Sequence, residues 1–349
     1  MATTFLEAGT DATYDFKFWA GTEDSVTVES SIVHTGPRSI KLVNGAQASR
    51  ISSPNGSLTA SAGRVSFWVR CTNNPGSTQL LVQFREVGAG TIASLKITSS
   101  GVLQLFDVNG QLGSDGAVVP TGTWMRIVFA YKIVSTNIDE ARVFQDGTLT
   151  ITSSAAKFDA NQFNNMRFLA PGDATYLDDI YVDDSNALTD PGDIRVTAKL
   201  PASTNTAAFD ATVGNGNVNE RALSETNGMR DTSVLGHQQN YTLETAAAGD
   251  VDLTGATLVA RSAWIWAKIT VASVLAKIMD NGTETGVTLT TTPALYTLIT
   301  DSASYPSNAA GIGAKASTTA DTYLYECGTL IAYIPGAGAS DTSITVGCP

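Results

Sequence analysis

Four aspartates crowd one short stretch of the chain. Asp178, Asp179, Asp183 and Asp184 fall in Tyr176–Pro201, YLDDIYVDDSNALTDPGDIRVTAKLP. Clustered carboxylates can work as an acid/base pair across a glycosidic bond. They can also hold a hard cation such as Ca²⁺, or accept the backbone N–H groups of a turn. Strand alternation places Asp178 with Ile180 and Val182, and Asp179 with Tyr181 and Asp183. That phase aims Asp178 at the rim of a sandwich, where a turn's N–H groups are the leading partners. A structural Ca²⁺ on Asp178, Asp179 and Asp183 is the alternative. Bond hydrolysis fits least: no E-x-D-x-x-E strand occurs, and the ten glutamates are scattered.

Other chemistry finds little support. The two histidines, His34 and His237, have no further His or Cys at metal-ligand spacing. His34 precedes the turn at Gly36–Pro37 and His237 sits in GHQQN, so both read as surface turn residues. No G-x-S-x-G elbow, P-loop or dinucleotide fingerprint is present. The sequence therefore predicts no catalytic residues and no cofactor. Cys71 and Cys327 lie in apolar strands as buried thiols. Cys348 is penultimate in a Gly/Ser/Thr tail; with three cysteines in all, it is either a free thiol or an intermolecular disulfide.

The tryptophans are weighed for binding. Trp68 and Trp124 read as core. Trp19, near the amino end, either seals a sandwich edge or meets a partner. Trp264 and Trp266 share one face of a strand. Such a stripe suits a sheet-to-sheet core, a subunit interface or a flat sugar platform, in that order. Trp19, Trp264 and Trp266 are the binding or interface candidates.

The elements that must position these residues are strands. In Arg64–Arg70, Val65, Phe67 and Val69 share one face and Ser66, Trp68 and Arg70 the other. Gln79–Glu86 and Thr123–Tyr131 repeat the alternation. Glu140–Ile151 turns at Asp146–Gly147, and Asn109–Gly110 marks another tight turn. Asp190–Pro191–Gly192–Asp193 breaks pairing, its acids keeping a hinge solvated. Beyond it, Leu258–Val271 sets Ala263, Ile265, Ala267 and Ile269 opposite Trp264 and Trp266. Val274–Asp280 and Glu284–Thr291 flank Asn281–Gly282 as a hairpin, followed by Ala294–Ile299 and Thr322–Ile334. The reading is all-β, two antiparallel β-sandwich (jelly-roll-like) domains in tandem. The first spans 1–188, a linker 189–193, and the second 194–336, with a loose arm at 202–249. A flexible tail covers 337–349.

Composition agrees. The 349 residues are enough for two cores, and only 15% are charged. A net charge of −12 repels phosphate backbones, so nucleic acid is not an expected partner. The start of the chain shows no signal peptide, and no apolar run reaches membrane-span length, so no membrane is expected either.

The order of the first-half segments is more specific. A tGprSikl strand precedes rvSFWVR and a G-x-L-x-L strand; then come tGtWmRivfaY, a v-x-x-DG hairpin and yLDDIyV. This order resembles the concanavalin A/laminin-G-like jelly roll over residues 1–188. The resemblance implies two packed antiparallel sheets and no particular function. The junction LDDIYVDD…GDIRV…LP resembles a group of tailed-bacteriophage virion proteins in which such a domain precedes a second β-domain. That implies a non-enzymatic accessory on the outside of capsid, neck/collar or tail, homo-oligomeric, contacting other virion proteins and assembled in a host cytoplasm. The alternative is a carbohydrate-binding adhesin whose laminin-G-like domain recognises host glycan.

Overall fold

A computed structural model describes residues 3–7, 21–23, 26–44, 50–52, 58, 61–86, 90–134, 139–158, 163–207, 211–213, 228–231, 238–248, 251–271, 274–280, 283–300, 305, 312–316 and 320–336. Among them every regular element is a β-strand. Among the described residues no helix is long and apolar enough to cross a membrane. The chain divides into two compact units at Val196–Thr197.

In the first unit, the alternation read from Arg64–Arg70 becomes the strand Ala62–Cys71, whose Val65, Phe67 and Val69 are wholly buried. It lies inside an eight-stranded sheet. The order is Thr148–Ala156, Asp139–Gln145, Met125–Ile133, Ala62–Cys71, Ala174–Asp183, Ser39–Val43, Val26–Glu29; Thr3–Glu7 also pairs with Ala174–Asp183. The seven-stranded partner sheet runs Gln111–Leu112, Leu103–Asp107, Gly90–Ile97, Gln79–Glu86, Asn165–Leu169, Arg50–Ser52, Gly21–Glu23.

Aromatic pairs between the sheets fill the core. Phe67 meets Phe168 edge-on at 5.0 Å, and Phe84 stacks on Phe129 at 4.2 Å. The turn at Asp146–Gly147 has positive φ at both residues, 46° and 83°, as a two-residue hairpin with the strand's twist requires.

The second unit has a six-stranded sheet. Its order is Ala211–Val213, Gly228–Asp231, Thr322–Ile334, Thr257–Ile269, Ala294–Thr300, with Arg195–Lys199 also beside Thr322–Ile334. Its five-stranded sheet runs Pro201–Ala207, Gln238–Leu243, Ile312–Ala316, Val274–Asp280, Thr283–Leu289. Ala263, Ile265, Ala267 and Ile269 pack with Tyr241, Ile278, Leu289, Ile312 and Cys327, as the alternation requires. The segment expected as a loose arm differs. Its described residues form strands, and Tyr241 and Leu243 enter the core. Its Thr, Asn and Ala run carries few large apolar residues, so no alternation stands out in the sequence.

Candidate functional site

The acid-rich strand Ala174–Asp183 sits between Ala62–Cys71 on one side and two strands on the other. It pairs with Ser39–Val43 through Leu177 and with Thr3–Glu7 from Ile180 onward. Where it changes neighbours it carries a β-bulge. Asp178 lies opposite Trp68, but Tyr181 lies opposite Ser66, so one residue is extra. Asp179 takes the left-handed conformation there, φ 49°, which Asp tolerates better than most residues.

The bulge corrects the expected phase. Asp178, Tyr181 and Asp183 share the face of Trp68, Ser66 and Arg64. Leu177, Ile180 and Val182 point into the core instead.

Asp178, Asp179 and Asp183 are buried and engaged by the protein, while Asp184 is half-buried. Asp178 Oδ2 accepts the N–H groups of His34 and Thr35 at 2.9 and 3.1 Å, and its Oδ1 that of Asp179 at 2.9 Å. Burial, then the charge of Asp179, pushes the Asp178 carboxyl well above the usual range, against those three donors. Asp179 Oδ1 accepts the Val196 N–H at 2.7 Å, and its Oδ2 lies 2.6 Å from His34 Nδ1. Asp183 takes the Arg64 guanidinium, with Nη2 at 2.7 Å and Nε at 3.1 Å.

The three acids considered for Ca²⁺ thus face different protein donors. Among the described residues no group of His, Cys, Asp and Glu is placed to hold a metal ion. Asp178 has the turn-accepting geometry that ranked first.

His34 departs from expectation. Its side chain is only 11% exposed. The ring stacks on Trp68 at 3.7 Å and stands edge-on to Trp124 at 5.7 Å. Trp124 Nε1 donates to the Val33 carbonyl at 3.1 Å. Trp68 and Trp124 are half-buried around this imidazole rather than central in the core. The sequence hid the arrangement because 144 residues separate His34 from Asp178.

The acidic linker is no solvated hinge either. Arg126 forks onto Asp190 at 2.6 and 2.7 Å, and its Nη1 also reaches the Gly192 carbonyl at 2.5 Å. Arg142 donates to the Leu188 carbonyl at 3.0 Å. Leu188 packs on Val128, Ala130 and Phe144. Burial raises the Asp190 carboxyl, but the Arg126 bonds, the Gly192 N–H and the Arg126 and Arg64 charges outweigh it and hold it low. Residues 184–196 therefore form a strap bound across the outside of the eight-stranded sheet.

The outer face of the seven-stranded sheet is polar. Register lines up Gln111, Phe106, Ser94, Gln83 and Arg167 across five strands. Lys96 Nζ lies 3.7 Å from the Phe106 ring centroid. Gln83 Nε2 donates to Thr91 Oγ1 at 2.9 Å, while Gln104 and Gln111 both donate to Asp115 at 2.7 Å. A shallow pocket of about 350 Å³ at the end of this sheet is lined by Asp107, Asn109, Gln111, Leu112, Ala155 and Lys157. Its one acid, Asp107, accepts the N–H groups of Asn109, Gly110 and Lys157. Amides, cations and an aromatic ring along one face can hydrogen-bond and stack on a polar chain. The row was readable only after strand pairing was known.

Trp264 and Trp266 are 1% and 5% exposed, so neither presents a platform to solvent. Trp264 packs over Gly328, where an added Cβ would fall 2.7 Å from the indole. Cys71 and Cys327 are buried thiols, and burial pushes the Cys71 thiol up to about 11. Trp19, His237 and Cys348 lie outside the described residues.

Residues 44–182 match the family described as the concanavalin A-like lectin/glucanases superfamily. No curated protein matches the chain. Among solved structures, an endo-β-1,4-glucuronan lyase from the fungus Trichoderma reesei is similar at 17% identity, over 54% of this chain and 98% of that one, TM-score 0.41. The Emp46p carbohydrate recognition domain is similar at 10% identity, over 52% and 97%, TM-score 0.36. The binding domain of botulinum neurotoxin serotype D is similar at 12% identity, over 69% of each chain, TM-score 0.38. The first unit of this chain carries a concanavalin A-like, laminin-G-type domain.

Proposed function

We propose that this chain is a non-enzymatic structural component of a tailed-phage particle, an accessory on the outside of capsid, neck/collar or tail. One observation carries the reading: the acids of the junction motif act as fasteners. Asp178 holds the turn at His34–Thr35, Asp179 the Val196 N–H, Asp183 Arg64 and Asp190 Arg126. The cluster that looked most like chemistry is closed to substrate, and its residues secure the strap that leads into the second sandwich. A mechanical role accounts for such a motif, and the junction's likeness to virion proteins points the same way. Mass spectrometry of purified particles from the encoding phage tests this. The chain should be present at many copies; particles assembled without it would overturn the reading.

A second reading is favoured by the row from Gln111 to Arg167. Here the laminin-G-type domain recognises host glycan through the outer face of its seven-stranded sheet, with the amides and cations of the row as hydrogen-bonding groups. A glycan array probed with the whole chain should then give hits that Gln83→Ala and Lys96→Ala weaken. An array without hits excludes it.

A further inference from the structure

The strand Ala294–Thr300, ALYTLIT, ends its sheet among the described residues. It pairs with Thr257–Ile269 through Arg261–Ala267 without any register shift. Exposed edges are normally blunted by charge, proline, bulges or shortness, because their free N–H and C=O groups invite another strand. This edge has none of these devices: Pro293 stands just before it, and no charged residue lies within it.

Three other edge strands among the described residues of the unit are protected. Thr283–Leu289 carries Glu284 and Gly286. Pro201–Ala207 opens on proline and shifts register twice against Gln238–Leu243. Ala211–Val213 has three residues.

We propose that Ala294–Thr300 is the surface through which two copies of this chain pair, antiparallel and edge to edge, about a two-fold axis at Thr297. The sequence is self-complementary about that residue. Reversal sets Leu295 opposite Ile299 and Tyr296 opposite Leu298, apolar against apolar on both faces. All four are half-buried, so each leaves apolar surface for a partner to cover. Tyr296 and Leu298 already lean on the core, and a second copy would extend that layer. On a chain of net charge −12, an acid-free seam is where a second copy meets no like charge. A foreign strand could use the same hydrogen bonds, but this pattern of side chains fits its own copy. The seam is short, so pairing needs high local concentration, as when many copies sit side by side.

Sedimentation velocity of the whole chain, over a series reaching millimolar concentration, tests this. The wild type should shift from monomer to dimer. Thr297→Lys sets two ammonium groups face to face at the axis, on an exposed position, and should weaken pairing roughly tenfold or more with unchanged circular dichroism and melting. Thr288→Lys, on the neighbouring edge, should dimerise like the wild type. In a Cys348→Ser background, Thr297→Cys should form a disulfide dimer on mild oxidation, and Thr288→Cys should not. A wild type monomeric throughout, or Thr297→Lys that pairs normally, would overturn the proposal. So would capture of a different protein by this edge in place of self-pairing. None of these outcomes depends on whether the chain is found in phage particles.

Discussion

Arg126 grips Asp190 with both prongs of its guanidinium, Nη1 to Oδ1 at 2.6 Å and Nη2 to Oδ2 at 2.7 Å. The two residues are 64 positions apart, and both side chains are mostly buried, at 7% and 16% exposure. The pair ties the strap to the strand Met125–Ile133.

Breaking this pair from one side leaves the other charge stranded. Asp190→Ala should destabilise the first unit by about 3 kcal/mol, read from urea denaturation. The Asp190 carboxyl is held below its unfolded value. Its contribution is therefore fully present above about pH 4 and fades as pH falls through the depressed folded value. Asp190→Asn should lose that acid-side dependence in a melting series against pH.

Asp178 works with the opposite sign. Its folded pKa is raised by burial and by Asp179. Its contribution is fully present below about pH 4, the unfolded value, and fades as pH rises through the raised folded value. Asp178→Asn should flatten this alkaline-side decline of the melting temperature. An unchanged profile would remove Asp178 as its source.

Lys199 is wholly buried, with Nζ among backbone carbonyls of one loop. Val251 O accepts at 2.8 Å, Ala246 O at 3.4 Å and Thr245 O at 3.5 Å, and Ala248 O also accepts. Lys199→Met keeps the stem and removes the ammonium, so these carbonyls lose a shared donor. The expected loss is about 3 kcal/mol by urea denaturation, with faster amide exchange confined to residues 245–251.

Gly328 has no room for a methyl group. An added Cβ would fall 2.7 and 2.9 Å from two atoms of the Trp264 ring and 3.2 Å from the Lys199 carbonyl. Trp264 is fully packed and cannot yield. Gly328→Ala should cost about 1–3 kcal/mol, with a change in tryptophan fluorescence reporting the shifted ring.

Strands with large apolar residues at every second position were legible from the sequence. Val65, Phe67 and Val69 in the first unit, and Ala263, Ile265, Ala267 and Ile269 in the second, sit on the faces alternation gives them. The Asp146–Gly147 turn was legible too, because its chemistry is local. The acid cluster was located correctly but phased wrongly beyond Asp178. A single inserted residue at a bulge reverses the alternation, and nothing in LDDIYV marks it. His34 was misplaced because its environment comes from Trp68, Trp124 and Asp179, all remote in sequence. The Asp190 hinge looked solvated because Pro and Gly signal a break in pairing, whereas Arg126 and Arg142 lie in distant strands.

The strap also decides where this polypeptide can be cut. The Pro191–Gly192 dipeptide invites a truncation there, yet such a cut discards Val196, the donor to Asp179, and frays the grip of Arg126 on Gly192. A recombinant first module should run through Val196. One that also lacked Leu188 would uncover Val128, Ala130 and Phe144 and precipitate on purification.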